Sequence, residues 1–248
     1  MKQQNKLLLV ILVLALSMLA CGITVNGRDV GGLEGSNVVV TEERQVSGFN
    51  RVDMAGIGFL VVEFGDTEAL TIEAESNIMD YIQTNVVGQE LTIKLKEGRN
   101  YQPTEPIKFY LTVVELDEIE VSGLGNVELP EIEVTDFFIE ISGGGAVDID
   151  RLDAKLFELE VEGLGSLMVD EGTVVRQEIS ISGGGSYQAR RLESQDANVD
   201  ISGLGNATIR VSDTLSVNIS GGGSVEYYGN PVVTTNISGL GKVDRLGD

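Results

Sequence analysis

Histidine and tryptophan are absent from this chain of 248 residues, and cysteine occurs once, at Cys21. Without histidine the chain can form neither a Ser-His-Asp or Cys-His catalytic pair nor an imidazole zinc site. A single cysteine cannot form an intrachain disulfide, a zinc cluster or an iron–sulfur cluster. We therefore expect neither a metal centre nor a cofactor in this protein.

Basic residues are also scarce, because 17 lysines and arginines stand against 39 aspartates and glutamates and leave a net charge of −22. A nucleic-acid partner requires a basic surface, so this balance argues against one. Glycine, by contrast, is abundant at 31 residues. The regular placement of these glycines predicts the fold class, as the repeats below show.

The N-terminal segment has the pattern of a secretory signal. Lys2 and Lys6 precede an apolar run over residues 7–20, which is too short to cross a bilayer comfortably. The run ends in MLAC, which resembles the lipoprotein box of bacterial envelope proteins, whose cysteine is lipidated and becomes the new N-terminus. We expect residues 1–20 to be removed and Cys21 to carry the lipid that anchors the protein to a membrane.

Two other interpretations of this segment stay open. Residues 15–17 could form an ordinary secretion site and leave Cys21 unmodified, or the whole segment could remain as an uncleaved anchor. We favour lipidation because the only cysteine stands where a lipoprotein requires it. Residues 21–36 are rich in glycine and polar residues, and they predict a flexible tether between the lipid and the folded body.

One motif recurs seven times and predicts the architecture. Its copies are SGLGNV at 122, SGGGAV at 142, EGLGSL at 162, SGGGSY at 182, SGLGNA at 202, SGGGSV at 220 and SGLGKV at 238. The interval from each copy to the next is constant over the first five copies and only slightly shorter after them, which is too regular for chance. The segment AGIGFL at residue 55 is a degenerate eighth copy.

Apolar residues flank each glycine bend with a period of two, which is the pattern of strands with one buried face. The column directly before the motif comprises Val121, Ile141, Val161, Ile181, Ile201, Ile219 and Ile237. A repeat of about 18–20 residues that holds strand, bend and strand, without helical periodicity, predicts one coil of a parallel β-helix, or β-solenoid. A β-sandwich would not keep the motif in phase, and a propeller blade needs about 40 residues.

The residue inside the bend alternates between two types, in the order Leu124, Gly144, Leu164, Gly184, Leu204, Gly222 and Leu240. We favour a steric reason, in which a corner too tight for a leucine on every coil holds one on alternate coils, over a glycine neighbour. The alternative is an exposed leucine stripe that binds a partner.

Residues 37–118 carry strand patterns without the regular motif, and they predict irregular first coils and an N-terminal cap. The expected strands are Val38–Thr41, Phe59–Phe64, Leu70–Ala74, Leu91–Leu95 and Lys108–Val113. Residues 77–85 predict one short helical turn or a loop. We therefore expect an all-β chain in which residues 37–248 form a single solenoid domain, with the repeats at 122–243.

The chain resembles the head GIN domain family of bacterial envelope proteins. The resemblance rests on the SGxGxV repeats, on the preceding stretch SGFNRVDMAGIGFLVVEFGD and on the segment QELTIKLKEG, and it covers about residues 40–247. It implies a parallel β-helix related in shape to pectin-lyase-like proteins, and an adhesion role. It offers no catalytic residues that could be transferred to this sequence.

Enzymatic motifs fail on their context. No serine or threonine follows Lys242 in the last repeat, so this glycine-rich run is not a phosphate loop. Some β-helix enzymes cut polysaccharides, and the candidate residues here are Asp148, Asp150, Asp170, Arg190 and Arg210. A glycosidase holds two carboxyl groups across one bond, whereas these residues are spread along the coils. We therefore expect no enzyme, and we keep a polysaccharide-active enzyme as the alternative.

The one candidate site in the sequence is a set of outward-facing carboxylates two and four residues before the motif. We call it the acidic ladder, and it comprises Glu118, Glu120, Glu140, Glu158, Glu160, Glu178 and Asp200. We favour a solubilising face, because stacked like charges repel and discourage pairing with other chains. The alternative is a face that binds divalent cations or a cationic surface polymer.

Together these features predict a lipid-anchored, extracytoplasmic binding or adhesion module of a bacterial cell envelope. Its expected partners are the membrane, through the lipid, and a surface polysaccharide or another envelope protein. A structural or sensory envelope protein with a membrane-protein partner is a further alternative.

Overall fold

A computed structural model describes residues 32–248, and Cys21 and the signal segment lie outside the described residues. The first part contains β1 Leu33–Glu34, β2 Val39–Arg44, β3 Arg51–Met54, β4 Phe59–Phe64, β5 Ala69–Glu75, the helix α1 Ser76–Met79, β6 Ile82–Val87, β7 Glu90–Leu95, β8 Tyr101–Gln102 and β9 Lys108–Val113. The repeats form β10 Glu118–Val121, β11 Asn126–Glu133, β12 Asp136–Ile141, β13 Ala146–Val161, β14 Ser166–Ile181, β15 Ser186–Ile201, β16 Asn206–Gly221, β17 Ser224–Tyr228, β18 Val232–Gly239 and β19 Lys242–Gly247.

From β10 onward the chain winds as stacked parallel coils, which confirms the predicted β-solenoid. Each residue of the column before the motif pairs in register with its counterpart on the next coil, from Val121 with Ile141 to Ile219 with Ile237. Strands β13 to β16 each run for 16 residues between successive glycine bends. Each inner coil therefore buries its inward side chains against the coils above and below.

The glycine bends are tight because successive coils touch there through their backbones. A Cβ atom at Gly143 would lie 2.0 Å from the carbonyl oxygen of Gly123, and one at Gly163 would lie 2.1 Å from that of Gly143. In the same bends the N–H of Gly144 donates to the Gly123 oxygen at 3.1 Å. Only glycine lets two backbones approach this closely, which explains why the motif keeps it at this position.

The column before the motif is buried from Val121 to Ile219, as predicted, but its last member is not. Ile237 is 42% exposed, because no further coil follows β18 within the described residues. The neighbouring inward position, Thr235, is exposed for the same reason. The expectation of a fully buried column was therefore wrong for Ile237.

The predicted degenerate repeat at residue 55 is a true coil, although its neighbours in space are not its neighbours in sequence. Strand β10 pairs in parallel with β3, and the N–H of Leu124 donates to the carbonyl of Gly56 at 2.9 Å. On the other side β3 pairs with β7 and β4 pairs with β9, also in parallel. The coil built from residues 90–113 therefore lies beneath the coil built from residues 51–64.

An antiparallel cap covers this end of the solenoid. Strand β5 pairs antiparallel with both β2 and β9, and β6 forms an antiparallel pair with β7. The predicted strands Phe59–Phe64 and Lys108–Val113 have the expected bounds. The prediction of only a turn or loop over residues 77–85 was incomplete, because Ile82–Val87 is a strand whose pairing with β7 is set by tertiary contacts.

The end of the predicted tether is part of the folded body. Strand β1 lies within residues 21–36 and pairs in parallel with β8. The side chain of Asn77 fixes this segment, since it accepts the N–H of Ser36 at 3.0 Å and donates to the carbonyl of Glu34 at 2.7 Å. The folded domain therefore begins a few residues before the predicted boundary at residue 37.

Candidate functional site

The parallel register brings the core of the acidic ladder together. Glu120, Glu140 and Glu160 occupy equivalent positions on three successive coils, as predicted. Asp53 continues this row on the coil beneath Glu120. Asp53 was not predicted from the sequence, because its motif copy is degenerate and lies far upstream. The row of four carboxylates ends at Ser180, which takes the equivalent position after Glu160.

The other members of the acidic ladder are less continuous. Phe138 separates Glu118 from Glu158 in the second row, whereas Glu158 and Glu178 are direct neighbours. Asp200 lies beyond Ser180, and it accepts hydrogen bonds from two asparagine side chains, Asn198 at 3.1 Å and Asn218 at 2.7 Å. Asp200 is thus a member of a local polar network and not of the row of stacked glutamates.

Glu120 has the largest pKa shift of the row. Partial burial, followed by the charges of Asp53, Glu140 and Glu90, raises the pKa of Glu120 to about 7. Burial and neighbouring carboxylates also raise the pKa of Glu140, and burial is the main cause of the raised pKa of Asp53. Near neutral pH this row therefore takes up a proton in preference to holding four charges.

The row does not have the geometry of a chelating centre. Within residues 32–248, no three carboxylates converge closely enough to hold a metal ion. The side chains of the row instead follow one another along the sheet, about 4.8 Å apart from coil to coil. A hard cation takes six or more oxygen ligands around one point, which a linear row does not supply. The arrangement better suits protons or an extended cationic partner.

A second candidate site is a cleft that was not predicted from the sequence. We call it the junction cleft; it has a volume of about 920 Å³ and lies between residues 114–117 and 131–138, with Phe64 and Glu158 on its walls. Because Phe138 and Glu158 also belong to the rows of the solenoid face, the cleft opens beside the acidic ladder.

The cap creates this cleft by interrupting the stack of coils. After β4 the chain leaves the solenoid for β5, so the coil of residues 51–64 lacks the wall that later coils have. Residues 114–117 then connect β9 to β10. The coil of β3 and β4 lies between these two strands, so the connection passes alongside it. As a result, β11 pairs with β4 only up to Glu128, although its pairing with β13 continues to Glu133.

The junction cleft combines acidic walls with apolar surface. Its lining carboxylates are Glu115, Asp117, Glu131, Glu133, Asp136 and Glu158, and its lining residues include no lysine or arginine. Glu131 pairs with Arg151 at 3.5 Å, and Asp117 accepts a hydrogen bond from Asn50 at 2.6 Å. Among the described residues, the other four carboxylates make no ion pair. The cleft is therefore a strongly negative surface with apolar side chains in its walls.

One sequence signal could have revealed the cleft. Much more chain separates the motif copies at 55 and 122 than separates any later copy from the next one. Since the copies at 55 and 122 are adjacent coils in space, the intervening chain had to leave the stack and return to it. An excursion of this kind opens the wall at the place where the chain departs.

The residues considered for a polysaccharide-active enzyme have other contacts. Asp170 pairs with Arg191 at 3.6 Å, and the guanidinium of Arg210 lies 5.0 Å from the ring centre of Tyr228. Burial, followed by the charge of Asp170, raises the pKa of Asp148. These residues thus form part of a charged outer wall, on which Asp148, Asp150 and Asp170 are exposed.

The leucines of the bends show both predicted features: packing over a glycine neighbour and exposure to solvent. A Cβ atom at Gly144 would lie 3.0 Å from Cδ2 of Leu124, and the same distance relates Gly184 to Leu164. Each of these leucines thus lies over the glycine of the next coil, in agreement with the steric interpretation. The leucine side chains are also solvent-exposed, from 67% at Leu124 to 91% at Leu240.

Comparisons with solved structures show the fold. A "putative adhesin" from Bacteroides fragilis NCTC 9343 superposes with a TM-score of 0.82 and 23% identity, covering 87% of this chain and 100% of its own. A "putative lipid binding protein" from Parabacteroides distasonis ATCC 8503 gives a TM-score of 0.71 at 21% identity, covering 86% of this chain and 99% of its own. A "putative adhesin" from Parabacteroides merdae ATCC 43184 gives 0.67 at 20% identity, with coverage of 86% and 98%.

The sequence comparisons define the family. No curated protein matches the chain. In the described part of the chain, none of the helices has the length and hydrophobicity needed to span a membrane. The family model described as "Putative auto-transporter adhesin, head GIN domain" matches residues 48–231, which include most of the cap, the junction cleft and most of the repeats. The chain therefore belongs to the head GIN domain family.

Proposed function

We propose that this protein is a lipid-anchored, extracytoplasmic binding module of the bacterial cell envelope, which acts in adhesion and not in catalysis. The observation that carries the proposal is the junction cleft, a negatively charged recess beside the acidic ladder. Family membership and the names of the structural relatives support an adhesive role. Lipidation of Cys21 would place this surface outside the cytoplasmic membrane.

The solenoid gives this surface a rigid support. Its long strands pair in register from coil to coil, and its interior is filled by stacked side chains. Phe137 and Phe157 have ring centres 6.4 Å apart, and Phe157 and Tyr187 follow at 6.1 Å. Because this part of the interior is packed, we do not extend to this chain the lipid binding that the name of one relative states. Recognition would take place on the outer wall.

The adhesive function is tested with cells that display the full chain. Their retention on immobilised envelope polysaccharide and on immobilised envelope proteins is compared with that of cells lacking the gene. We expect displaying cells to be retained on one of these surfaces and to be released by soluble chain of residues 22–248, which contains every described strand. Equal retention of both cell types on all surfaces would contradict the proposal.

The anchor is tested separately, so that its failure does not affect the binding assay. We expect radiolabelled palmitate to be incorporated into the full chain, and we expect the Cys21→Ser variant to incorporate none. The variant should also move from the membrane fraction to the soluble fraction. Unlabelled, freely released wild-type protein would show that Cys21 is not an anchor.

A further inference from the structure

We infer that the junction cleft binds an extended, lysine- or arginine-containing segment of a protein partner, which adds as a strand to the free edge of β11. This inference rests on the proposed function and names the site and the class of ligand. It follows from three properties of the cleft, namely an unpaired strand edge, apolar side chains beside that edge, and negative charge without basic residues.

The first property is the unpaired edge. Residues Glu131–Glu133 pair with β13 on one side, but the pairing of β11 with β4 on the other side ends at Glu128. Pro130 lies two residues after Glu128, and because it has no N–H it cannot donate a ladder hydrogen bond. The backbone of residues 131–133 therefore presents one free side to the cleft. An extended peptide can satisfy such an edge with main-chain hydrogen bonds.

The second property is the apolar surface along this edge. Val114 and Phe64 are 48% and 41% exposed, although both are large apolar side chains. Val134 and Phe138 are half-buried in the opposite wall. In an added strand, alternate side chains point to opposite faces. One set of these side chains can thus cover the apolar residues while the other set meets the carboxylates.

The third property is charge. Glu115, Glu133, Asp136 and Glu158 line the cleft without ion-pair partners among the described residues. A strand that carries lysine or arginine at alternate positions would supply the missing cations. An acidic or neutral partner would leave these carboxylates uncompensated, and the net charge of −22 would repel an acidic one at long range. Charge complementarity therefore selects a cationic segment.

A polypeptide satisfies all three properties, whereas other cationic or polymeric ligands satisfy fewer. A polyamine supplies positive charge but has no backbone to pair with the edge of β11. A neutral polysaccharide can form hydrogen bonds but does not neutralise the carboxylates. The cleft is also long enough for a short extended peptide, since it runs along two segments, residues 114–117 and 131–138.

The test uses residues 22–248 and a short, fluorescent peptide that alternates lysine and valine. Binding is measured by fluorescence anisotropy at low and high salt, beside an alternating glutamate–valine peptide, a backbone N-methylated lysine–valine peptide and spermine. We expect the lysine–valine peptide to bind, with an affinity that falls as salt rises. We expect the acidic peptide not to bind, and we expect the N-methylated peptide and spermine to bind at least about tenfold more weakly.

Two triple variants locate the site. Glu115→Gln/Glu133→Gln/Asp136→Asn removes three exposed carboxylates of the cleft, whereas Asp150→Asn/Glu193→Gln/Asp213→Asn removes the same charge from exposed positions elsewhere. We expect the first variant to weaken peptide binding about tenfold and the second to change it less than about twofold. Hydrogen exchange should show slower exchange of amides within residues 131–133 when the peptide is bound.

The outcomes separate this inference from the proposed function. Equal binding of the N-methylated peptide, equal effects of the two triple variants, or unchanged exchange at residues 131–133 would overturn strand addition in the cleft. If the cleft variant fails to bind peptide but cells carrying it are still retained on polysaccharide, the adhesive function stands and the peptide is not its ligand. If displaying cells are not retained at all while the peptide binds as expected, the adhesive function is contradicted and the peptide-binding site is supported.

Discussion

Glu120 lies directly beside Asp53 on adjacent coils, although strands β4 to β9 separate the two residues in sequence. This pairing gives Glu120 a carboxylate neighbour on each side, because Glu140 occupies the next coil. Partial burial, followed by these two charges and those of Glu90 and Glu118, raises the pKa of Glu120 to about 7. Ionised Glu120 therefore lowers the free energy of unfolding.

The first prediction is a stability that rises as the pH falls. The folded state binds a proton at Glu120 near pH 7, whereas the unfolded state does so only near 4.5. The free energy of unfolding should therefore increase as the pH falls from above 7 towards 4.5, by about 1–2 kcal/mol, because solvent screens part of the effect at this partly exposed side chain. Urea unfolding across this range measures the effect. Glu120→Gln should remove most of the slope, and an equal slope in wild type and variant would contradict the assignment.

The second prediction distinguishes a solvated row from a cation-binding row. Because the four stacked carboxylates do not converge on one point, we expect calcium and magnesium to stabilise the protein no more than sodium at equal ionic strength. Thermal melting with each salt tests this for the wild type and for Glu120→Gln/Glu140→Gln/Glu160→Gln. A saturable shift in Tm with calcium that disappears in the triple variant would instead make the acidic ladder a cation site.

The third prediction concerns the buried column. Ile181 is fully buried between Val161 and Ile201, so Ile181→Asp places an unpaired charge in the core and should cost several kcal/mol, about 3–5. The same change at Ile237 is a matched control, because this residue belongs to the same column but is 42% exposed. Ile237→Asp should cost less than about 1 kcal/mol. Similar losses in denaturant unfolding for the two variants would contradict the open last coil.

The repeats were predictable from a local pattern, whereas the one sign of the cleft in the sequence is the long interval between the motif copies at 55 and 122. The regular spacing of Val121, Ile141 and the later residues of this column predicts the parallel register, because coils of nearly equal length place equivalent residues side by side. The place of Asp53 beneath Glu120 depends on an excursion of the chain through the cap, which no local pattern encodes. The strand Ile82–Val87 was not predicted for the same reason. Its strand conformation depends on pairing with β7 and not on its own hydrophobic alternation.

The fourth prediction tests the alternation of leucine and glycine in the bends. Gly184→Leu would place leucines on three successive coils, and a Cβ atom there already lies 3.0 Å from Cδ2 of Leu164. We expect a loss of about 1–3 kcal/mol from overpacking. Inverting the three positions, with Leu164→Gly/Gly184→Leu/Leu204→Gly, restores the spacing and should recover most of the loss. If Gly184→Leu is as stable as wild type in thermal melting, the steric interpretation is wrong and the exposed stripe needs another explanation.

The last prediction concerns Glu75, a buried carboxylate that joins the cap to the N-terminal segment. It accepts the N–H of Asn37 at 2.6 Å and that of Thr104 at 2.9 Å, and thereby connects two segments that are distant in sequence. Burial alone would raise its pKa, but the hydrogen bonds from Thr104, Asn37 and Glu105 outweigh burial and lower it. Glu75→Gln replaces one acceptor oxygen by a donor group that faces these N–H groups, so we expect a loss of about 1–3 kcal/mol.

The pH dependence of this loss has the opposite sign to that of Glu120. Because the folded pKa of Glu75 is lowered, its contribution is complete above the ordinary glutamate value of 4.5 and is lost as the pH falls below it. The difference in unfolding free energy between wild type and Glu75→Gln should therefore shrink in acid. Glu68→Gln is a control, since its carboxylate also accepts backbone N–H groups, those of Gly48 and Phe49, but is only half-buried. Faster exchange of the Asn37 and Thr104 amides in Glu75→Gln alone would locate the effect, whereas a difference that grows in acid would refute the role assigned to this carboxylate.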